Sequence, residues 1–265
     1  MKVLILYVFH EYTDNVRNFI NRGLVNDPNK EFIFISNGSK FDIRNDDSII
    51  SHDNAHLFIR QNIGHDFGGW NDALFLPVTA LNHKVIEMEH HEDARYLYTL
   101  FDNIIFLNST VDGPYIPNYY PYDWIDCFTS KLSYSIPMTG ISANFMNDTP
   151  VNLCQLYNEL YKIPYNDAVH IQSMAFSLNK TGLNILIKYK LFNSNRIFPT
   201  NKWLLICSCE IGMSSLLRYE GYSLYSFVKS QGEIKHDRLE EEDNLWTNSK
   251  MLYSPYELIF IKTIL

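Results

Sequence analysis

The chain is short of cysteine, short of positive charge, and lacks any long apolar run. Its 265 residues include four cysteines, which do not make a disulfide framework in a chain this size. Cys127 and Cys154 stand alone. Cys207 and Cys209 are two positions apart, which is neither the redox CxxC nor a zinc-knuckle spacing. All four are expected to be reduced packing residues. Lys and Arg number 22 against 30 Asp and Glu, a formal net charge of −8, so a broad nucleic-acid-binding face is not expected. No segment approaches the roughly 20 apolar residues that a membrane span needs. Met1 to Val8 is apolar but too short for a signal peptide, and no small-residue cleavage site follows it. A cytoplasmic protein without a transmembrane segment is expected, with peripheral membrane association left open. The Asn-x-Ser/Thr triplets at Asn37, Asn108, Asn147 and Asn179 then carry no meaning as glycan acceptors.

What is present is ordinary globular material. Hydrophobic residues make up 46% and charged residues 20%, which excludes a disordered or collagen-like chain. The length is enough to bury a substantial core without disulfide or metal staples. Aromatic side chains are abundant, with 4 Trp, 18 Tyr and 17 Phe. Such rings can stack on sugars and bases, but most are expected in the core.

The pattern along the chain predicts an α/β fold. Val3 to Phe9 is a continuous apolar run of strand length, as in strands buried on both faces of a parallel sheet. Asp14 can cap a helix with Val16, Phe19, Ile20 and Leu24 at helical spacing. Glu31 to Ser36 and Ala55 to Arg60 read as the next strands. Trp70 to Leu81 reads as a helix that Pro77 disturbs, and Tyr96 to Leu107 ends in a strongly apolar strand. Gly113 to Asp123 is loop-like. Val151 to Leu160 and Thr181 to Leu191 read as helices and His170 to Leu178 as a strand. Glu210 to Tyr219 reads as a helix capped by Gly221, and Tyr222 to Phe227 as a last strand. The acidic run Glu240 to Asp243, before Leu245 and Trp246, reads as a solvated face. The strand–helix–strand rhythm implies a largely parallel sheet flanked by helices, in one domain over residues 1–265.

Four stretches could carry chemistry. The first is Asn62 to Trp70, N-I-G-H-D-F-G-G-W, between a strand and a helix. Ligands of open α/β sheets bind at the carboxyl ends of strands. Gly64, Gly68 and Gly69 allow close backbone approach or positive φ, Asn62 and Asp66 offer polar groups, and Trp70 could pack on the helix or on a ring. The same stretch also fits an ordinary Gly-rich turn with a capping Asp. It is not G-x-G-x-x-G and no Walker lysine follows, which disfavours dinucleotide and P-loop readings. The second is Phe106 to Pro114, where Asn108, Ser109, Thr110 and Asp112 place four oxygen-bearing side chains in five residues. Mg²⁺ or Mn²⁺ wants hard oxygen ligands with a carboxylate, and here only Asp112 is charged. A turn satisfying its own backbone is the alternative. The third is Val169 to Ser177, where a strand would put His170 and Gln172 on one face, with Met174 as a further candidate, His170 being either a satisfied structural residue or, paired with Gln172, the lining of a polar cleft. The fourth is Cys209 to Tyr222. Glu210 would open a helix after the apolar segment Trp203 to Cys207, either as a charge on the helix dipole or as a general base at a cleft wall.

Taken together, these stretches resemble the rhamnan synthesis protein F family of glycosyltransferases. The family's N-x-G-x-D-F-G-x-W segment is matched by Asn62, Gly64, Asp66, Phe67, Gly68 and Trp70. Its N-D-S-x-x-G-P turn is matched in part by Asn108, Thr110, Gly113 and Pro114, and its H-[IL]-Q-S segment by His170, Ile171, Gln172 and Ser173. An E-x-x-x-S helix before a Gly-Tyr pair is matched by Glu210, Ser214, Gly221 and Tyr222, and a His/Tyr pair after the first strand by His10 and Tyr12. The last helix also resembles the E-D-x-x-L-x-x-R-L-x-x-x-G-Y helix of family-two inverting glycosyltransferases. Glu210 falls on its Asp, the base, and Cys209 on its Glu.

The resemblance implies a GT-A fold, with a Rossmann-like nucleotide-sugar-binding half over 1–115 and an acceptor-binding half over 116–265. It implies a nucleoside-diphosphate sugar as donor and a polysaccharide or surface glycan as acceptor, with rhamnose as one candidate sugar. Glu210 is then the catalytic base. His10, Asn62, Gly64, Asp66, Trp70, Asn108, Ser109 and Thr110 hold the donor, and His170 and Gln172 face the donor sugar or acceptor. Ser109 stands where the family has an Asp. Either Asp112 takes a Mn²⁺ or Mg²⁺ in its place, or the diphosphate is held without metal, or the domain is a non-catalytic, glycan-binding or scaffold derivative. A methyltransferase or other Rossmann-like enzyme is a further alternative.

Overall fold

The computed structural model describes residues 1–38, 47–87, 95–145, 152–164, 169–229, 231–235 and 254–263. The acidic run at 240–243, Leu245, Trp246, Asn147 and Val151 lie outside the described residues.

The first strand, β1 (Val3–Phe9), is buried at all seven positions. It is followed by α1 (Asp14–Gly23), β2 (Lys30–Asn37), β3 (Ala55–Arg60), α2 (His65–Leu74), β4 (Val85–Ile86), β5 (Asn103–Asn108) and β6 (Val111–Asp112). Then come α3 (Trp124–Thr129), β7 (Met138–Gly140), β8 (Ala143–Phe145), α4 (Leu153–Tyr161), β9 (Val169–Ile171), β10 (Ala175–Asn179) and α5 (Lys180–Lys188). The last third holds α6 (Lys202–Leu205), a π-helical turn (Ile206–Ile211), α7 (Gly212–Tyr219), β11 (Leu224–Ser226), β12 (Glu233–Ile234), α8 (Pro255–Leu258) and β13 (Ile261–Lys262).

Nine strands form one sheet in the order β12-β11-β7-β10-β5-β1-β2-β3-β4. From β5 to β4 every pairing is parallel. Beyond β5 the sheet is mixed, because β10 runs antiparallel to both β5 and β7 while β11 is parallel to β7. The sheet is therefore mostly parallel and passes without a break from the first 115 residues into the rest.

Alternation along β1 divides the core into two layers. Leu4, Leu6 and Val8 pack on the side of Trp70, Leu74, Leu186 and Leu217. Val3, Ile5, Tyr7 and Phe9 pack on the side of Val16, Phe19, Ile20, Trp124 and Phe128. A strand covered by helices on both faces is expected to be apolar, and in VLILYVF the one polar side-chain atom is the buried Tyr7 hydroxyl. Each of these side chains contributes on the order of 1.5–3 kcal/mol by its burial.

Several expected elements shift, each for a local reason. The helix read as Trp70 to Leu81 begins at His65 and ends at Leu74, and Val78–Asn82 is a separate 3₁₀ turn after Pro77. Gly68 and Gly69 are consequently inside the helix. A Cβ on Gly68 would lie 1.9 Å from the Ile63 carbonyl oxygen, and one on Gly69 3.0 Å from Val8. Gly69 brings helix and sheet together, and Gly68 lets the helix close on the turn that precedes it, rather than admitting a ligand. The strand read as His170 to Leu178 is two strands in different sheets, since β9 pairs with β8 while β10 joins the main sheet. The break at 172–174 is held by Gln172 N donating to Ser142 O and Asn108 N to Met174 O. The tail pairs back on the chain, β13 running antiparallel to β6. All four cysteines are free, but Cys154 is exposed and so is not a packing residue.

Candidate functional site

The carboxyl end of β5, the start of α2, the 172–174 break and the helix of α6 and the π turn line a cavity of ≈ 370 Å³. Its wall nearest the sheet is built on Asn108, the last residue of β5. The Asn108 amide Nδ2 donates to Asp66 Oδ2 at 2.8 Å, and its Oδ1 accepts the Thr110 N–H at 3.1 Å and the Thr110 hydroxyl at 2.5 Å. One amide thus fixes both the strand-end turn and the carboxylate at the first turn of α2. Asp66, Asn108 and Thr110 all line the cavity. The backbone leading into α2 is constrained, with Gly64 at φ 76° and His65 at φ 51°. A positive φ is costly for a residue with a Cβ, and such strain concentrates at sites that over-determine it. His65 also lines the cavity.

The opposite wall is a helix with a defect. Helical structure runs unbroken from α6 through the π turn to α7. Glu210 sits inside that π turn, not at a helix start, so the helix-dipole explanation of its charge does not apply. The turn's displaced carbonyls find donors on α4, where Tyr157 donates its hydroxyl to Cys207 O at 2.9 Å and Tyr161 its hydroxyl to Ser208 O. Tyrosines four residues apart share one helix face and so meet consecutive turn carbonyls. π turns are frequent at functional sites because the extra residue re-aims a side chain. Here that side chain is Glu210, which faces the cavity.

Glu210 is held at both oxygens. Ser173 donates its hydroxyl to Oε2, and His170 Nε2 lies 3.4 Å from Oε1. Burial opposes ionisation of Glu210, but hydrogen bonding and charge from His170, with the hydroxyl and N–H of Ser173, outweigh it and bring the pKa below the usual carboxylate value. Asp66 goes the other way. Burial raises its pKa and the Glu210 charge adds to that, while Asn108, His65 and Lys202 offset part of the rise. Two carboxylates in one cavity are pushed apart in pKa, the pattern that separates acid and base roles.

The expected site residues divide into groups. Asp66, Asn108, Thr110, Gln172 and Glu210 meet at the cavity. His170 is 1% exposed, so it stands behind Glu210 and does not reach an acceptor. His10 and Asn62 lie in a neighbouring network, where His10 Nδ1 bonds Asn37 O at 2.8 Å and Asn37 Nδ2 donates to Asn62 Oδ1 at 2.9 Å. Neither lines the cavity, and Gly64 instead faces Phe198. Trp70 is corrected to a core residue. It is fully buried, edge-on to Phe67, Phe106 and Phe176, with its indole N–H donated to Leu107 O at 3.3 Å. Ser109 does not line the cavity, and its carbonyl accepts from Asn15.

Asp112 turns away from the cavity. Its carboxylate accepts from Asn18 at 3.1 Å, from Gly113 N at 3.0 Å and from the Tyr115 hydroxyl. Among the described residues no three His, Cys, Asp or Glu side chains converge as a metal site.

The sequence reading missed His65, Phe67, Lys202, Leu205, Ile206 and Lys262 as lining residues, and Ser173 as a partner of Glu210. Ser173 had a signal, its place in the H-I-Q-S segment. Lys262 had none, because it arrives through tail pairing.

No family model matches the chain, and no curated protein matches it. Among solved structures it is similar to the apo structure of the WbbM bifunctional glycosyltransferase, at 10% identity and a TM-score of 0.37. That similarity covers 79% of this chain and 38% of the other, so the chain spans well under half the length of that protein. A likeness of this size carries no argument about the reaction. No helix among the described residues is long and apolar enough to cross a membrane.

Proposed function

We propose that the chain is a glycosyltransferase of GT-A-like organisation, transferring a sugar from a nucleoside-diphosphate donor to a glycan hydroxyl with inversion. The observation that carries the reading is Glu210, held below the ordinary carboxylate pKa at the wall of a cavity that takes in the carboxyl end of β5 and the start of α2. Its order of motifs, which resembles the rhamnan synthesis protein F family, adds the substrate class, with rhamnose as the candidate sugar.

In this mechanism Glu210 takes the proton of the acceptor hydroxyl as that oxygen bonds to the anomeric carbon. The bond from that carbon to the diphosphate oxygen breaks, and the diphosphate leaves with the electron pair. Ser173 and His170 keep Glu210 ionised and aimed, which is positioning rather than contact with substrate. Asn108, Thr110 and Asp66 form the donor side. Gln172, whose Oε1 accepts the Ser142 hydroxyl at 2.6 Å, faces the sugar or acceptor.

The test is release of nucleoside diphosphate from a panel of nucleotide sugars, with and without glycan acceptors. Glu210→Gln keeps the shape and removes the basicity, so transfer should fall by about 10²–10⁴ while donor binding persists. Transfer by the Gln variant within a fewfold of the parent would sink the base assignment. The turned-away Asp112 favours a second reading, a non-catalytic glycan-binding domain of the same fold, which predicts glycan binding without nucleotide release.

A further inference from the structure

The cavity carries two cations that the steps above do not use. Lys202, the first residue of α6, and Lys262, on β13, both line it. They come from distant parts of the chain and are separately fixed. Asn201 caps α6, its side chain accepting the N–H of Trp203 at 2.9 Å and of Leu204 at 3.1 Å. Lys262 lies opposite Val111 in the β6–β13 pairing. Thr263 fastens that strand by donating its N–H and hydroxyl to Thr110 O at 3.0 and 3.1 Å, and its hydroxyl oxygen accepts Asn15 Nδ2 at 2.8 Å. The tail is thus tied to the same turn that presents Thr110 to the cavity. Among the described residues neither ammonium is engaged in a hydrogen bond or ion pair.

The remaining charges make these cations informative. Asp66 and Glu210 would repel a diphosphate, and among the described residues no three His, Cys, Asp or Glu side chains converge to hold a cation beside them. We propose that Lys202 and Lys262 form a clamp for the diphosphate of the donor, supplying with two ammonium groups the positive charge a divalent cation would supply. The proposal rests on the glycosyltransferase reading of this cavity. Lysine binds phosphate as a compact point charge. As the anomeric C–O bond breaks, charge grows on the departing diphosphate oxygen, where fixed cations act most strongly.

Calorimetric titration tests this, using inorganic pyrophosphate and uridine, guanosine and thymidine diphosphates, in EDTA and again in Mn²⁺. The parent should bind at least one nucleoside diphosphate in EDTA, more weakly as salt rises. Lys202→Ala and Lys262→Ala should each weaken that binding about tenfold, the double variant more, and Lys→Arg should retain it in large part. Both lysines are exposed, so the Ala variants should keep the parent's melting temperature. Unchanged affinity in the double variant, or binding only with Mn²⁺, overturns the clamp and leaves the glycosyltransferase reading standing. No binding of any nucleoside diphosphate by the parent in either condition overturns both.

Discussion

The two walls of the cavity shift the same functional group in opposite directions. On the strand-end wall, Asp66 rests on one amide, Asn108, and burial raises its pKa. On the helical wall, Glu210 has a hydroxyl, an imidazole and a backbone N–H directed at it, and its pKa falls despite burial. The difference lies in the number of donors per carboxylate, because desolvation acts on both. It also lies in construction. The first wall is made by a regular strand and a helix start. The second needs a helix distorted by one turn and two tyrosines from another helix to satisfy the distortion.

The comparison can be broken or sharpened by substitution. The largest effect expected is on turnover, in Glu210→Gln, by the factor of about 10²–10⁴ given above. Removing its partner should act differently. His170→Phe takes away a group that favours ionised Glu210, so the Glu210 pKa rises and the acid limb of the pH–rate profile moves to higher pH. An unmoved limb would separate His170 from the chemistry.

Next in size is Tyr161→Phe, which leaves the buried Ser208 carbonyl without its donor. The cost should be about 1–3 kcal/mol, seen as a melting-temperature fall of about 2–4 °C per kcal/mol in a chain of this size. If the π turn aims Glu210, turnover should fall further than stability accounts for at temperatures where the variant is folded. A variant with parental stability would show that the hydroxyl contact is not what satisfies the turn.

A smaller and more diagnostic effect is the slope of stability with pH. The folded pKa of Glu210 is lowered, so its contribution is present above the unfolded pKa and lost as pH falls through the folded value. The folded pKa of Asp66 is raised, so ionisation costs stability as pH rises from its unfolded pKa to its folded one. Denaturation across acid pH should therefore show Asp66→Asn relieving a loss on the alkaline side of that window and Glu210→Gln removing a loss on the acid side. Equal slopes for both variants would contradict the opposed shifts. The smallest effect is expected at Asp112. Its oxygens are engaged by Asn18, Gly113 and Tyr115, so Asp112→Asn should leave metal response and turnover unchanged while costing some stability.

Much of the first wall was legible because it depends on local order. VLILYVF demands a strand covered on both faces, and the polar residues that follow β3 and β5 fall at strand ends, where Asp66 and Asn108 meet. The α2 boundary was missed because Gly68 and Gly69 look like turn residues, yet Gly69 packs the helix on Val8 and Ile35 and Gly68 packs it on the Ile63 carbonyl. Trp70 was misplaced for the same reason, since a helix that starts five residues earlier directs it into the core.

The chain by itself determined the α/β pattern, the order of the polar stretches, and Glu210 as the residue to watch, because periodicity and spacing are properties of neighbours. Only the tertiary structure decided that Glu210 sits in a π turn, that His170 stands behind it, and that Lys262 reaches the cavity. Each of those depends on contacts between residues about 40 to 150 positions apart, as between Tyr161 and Ser208 or Thr110 and Thr263. Such pairings carry no local signature, because a donor satisfied across the fold looks the same in sequence as one satisfied by water.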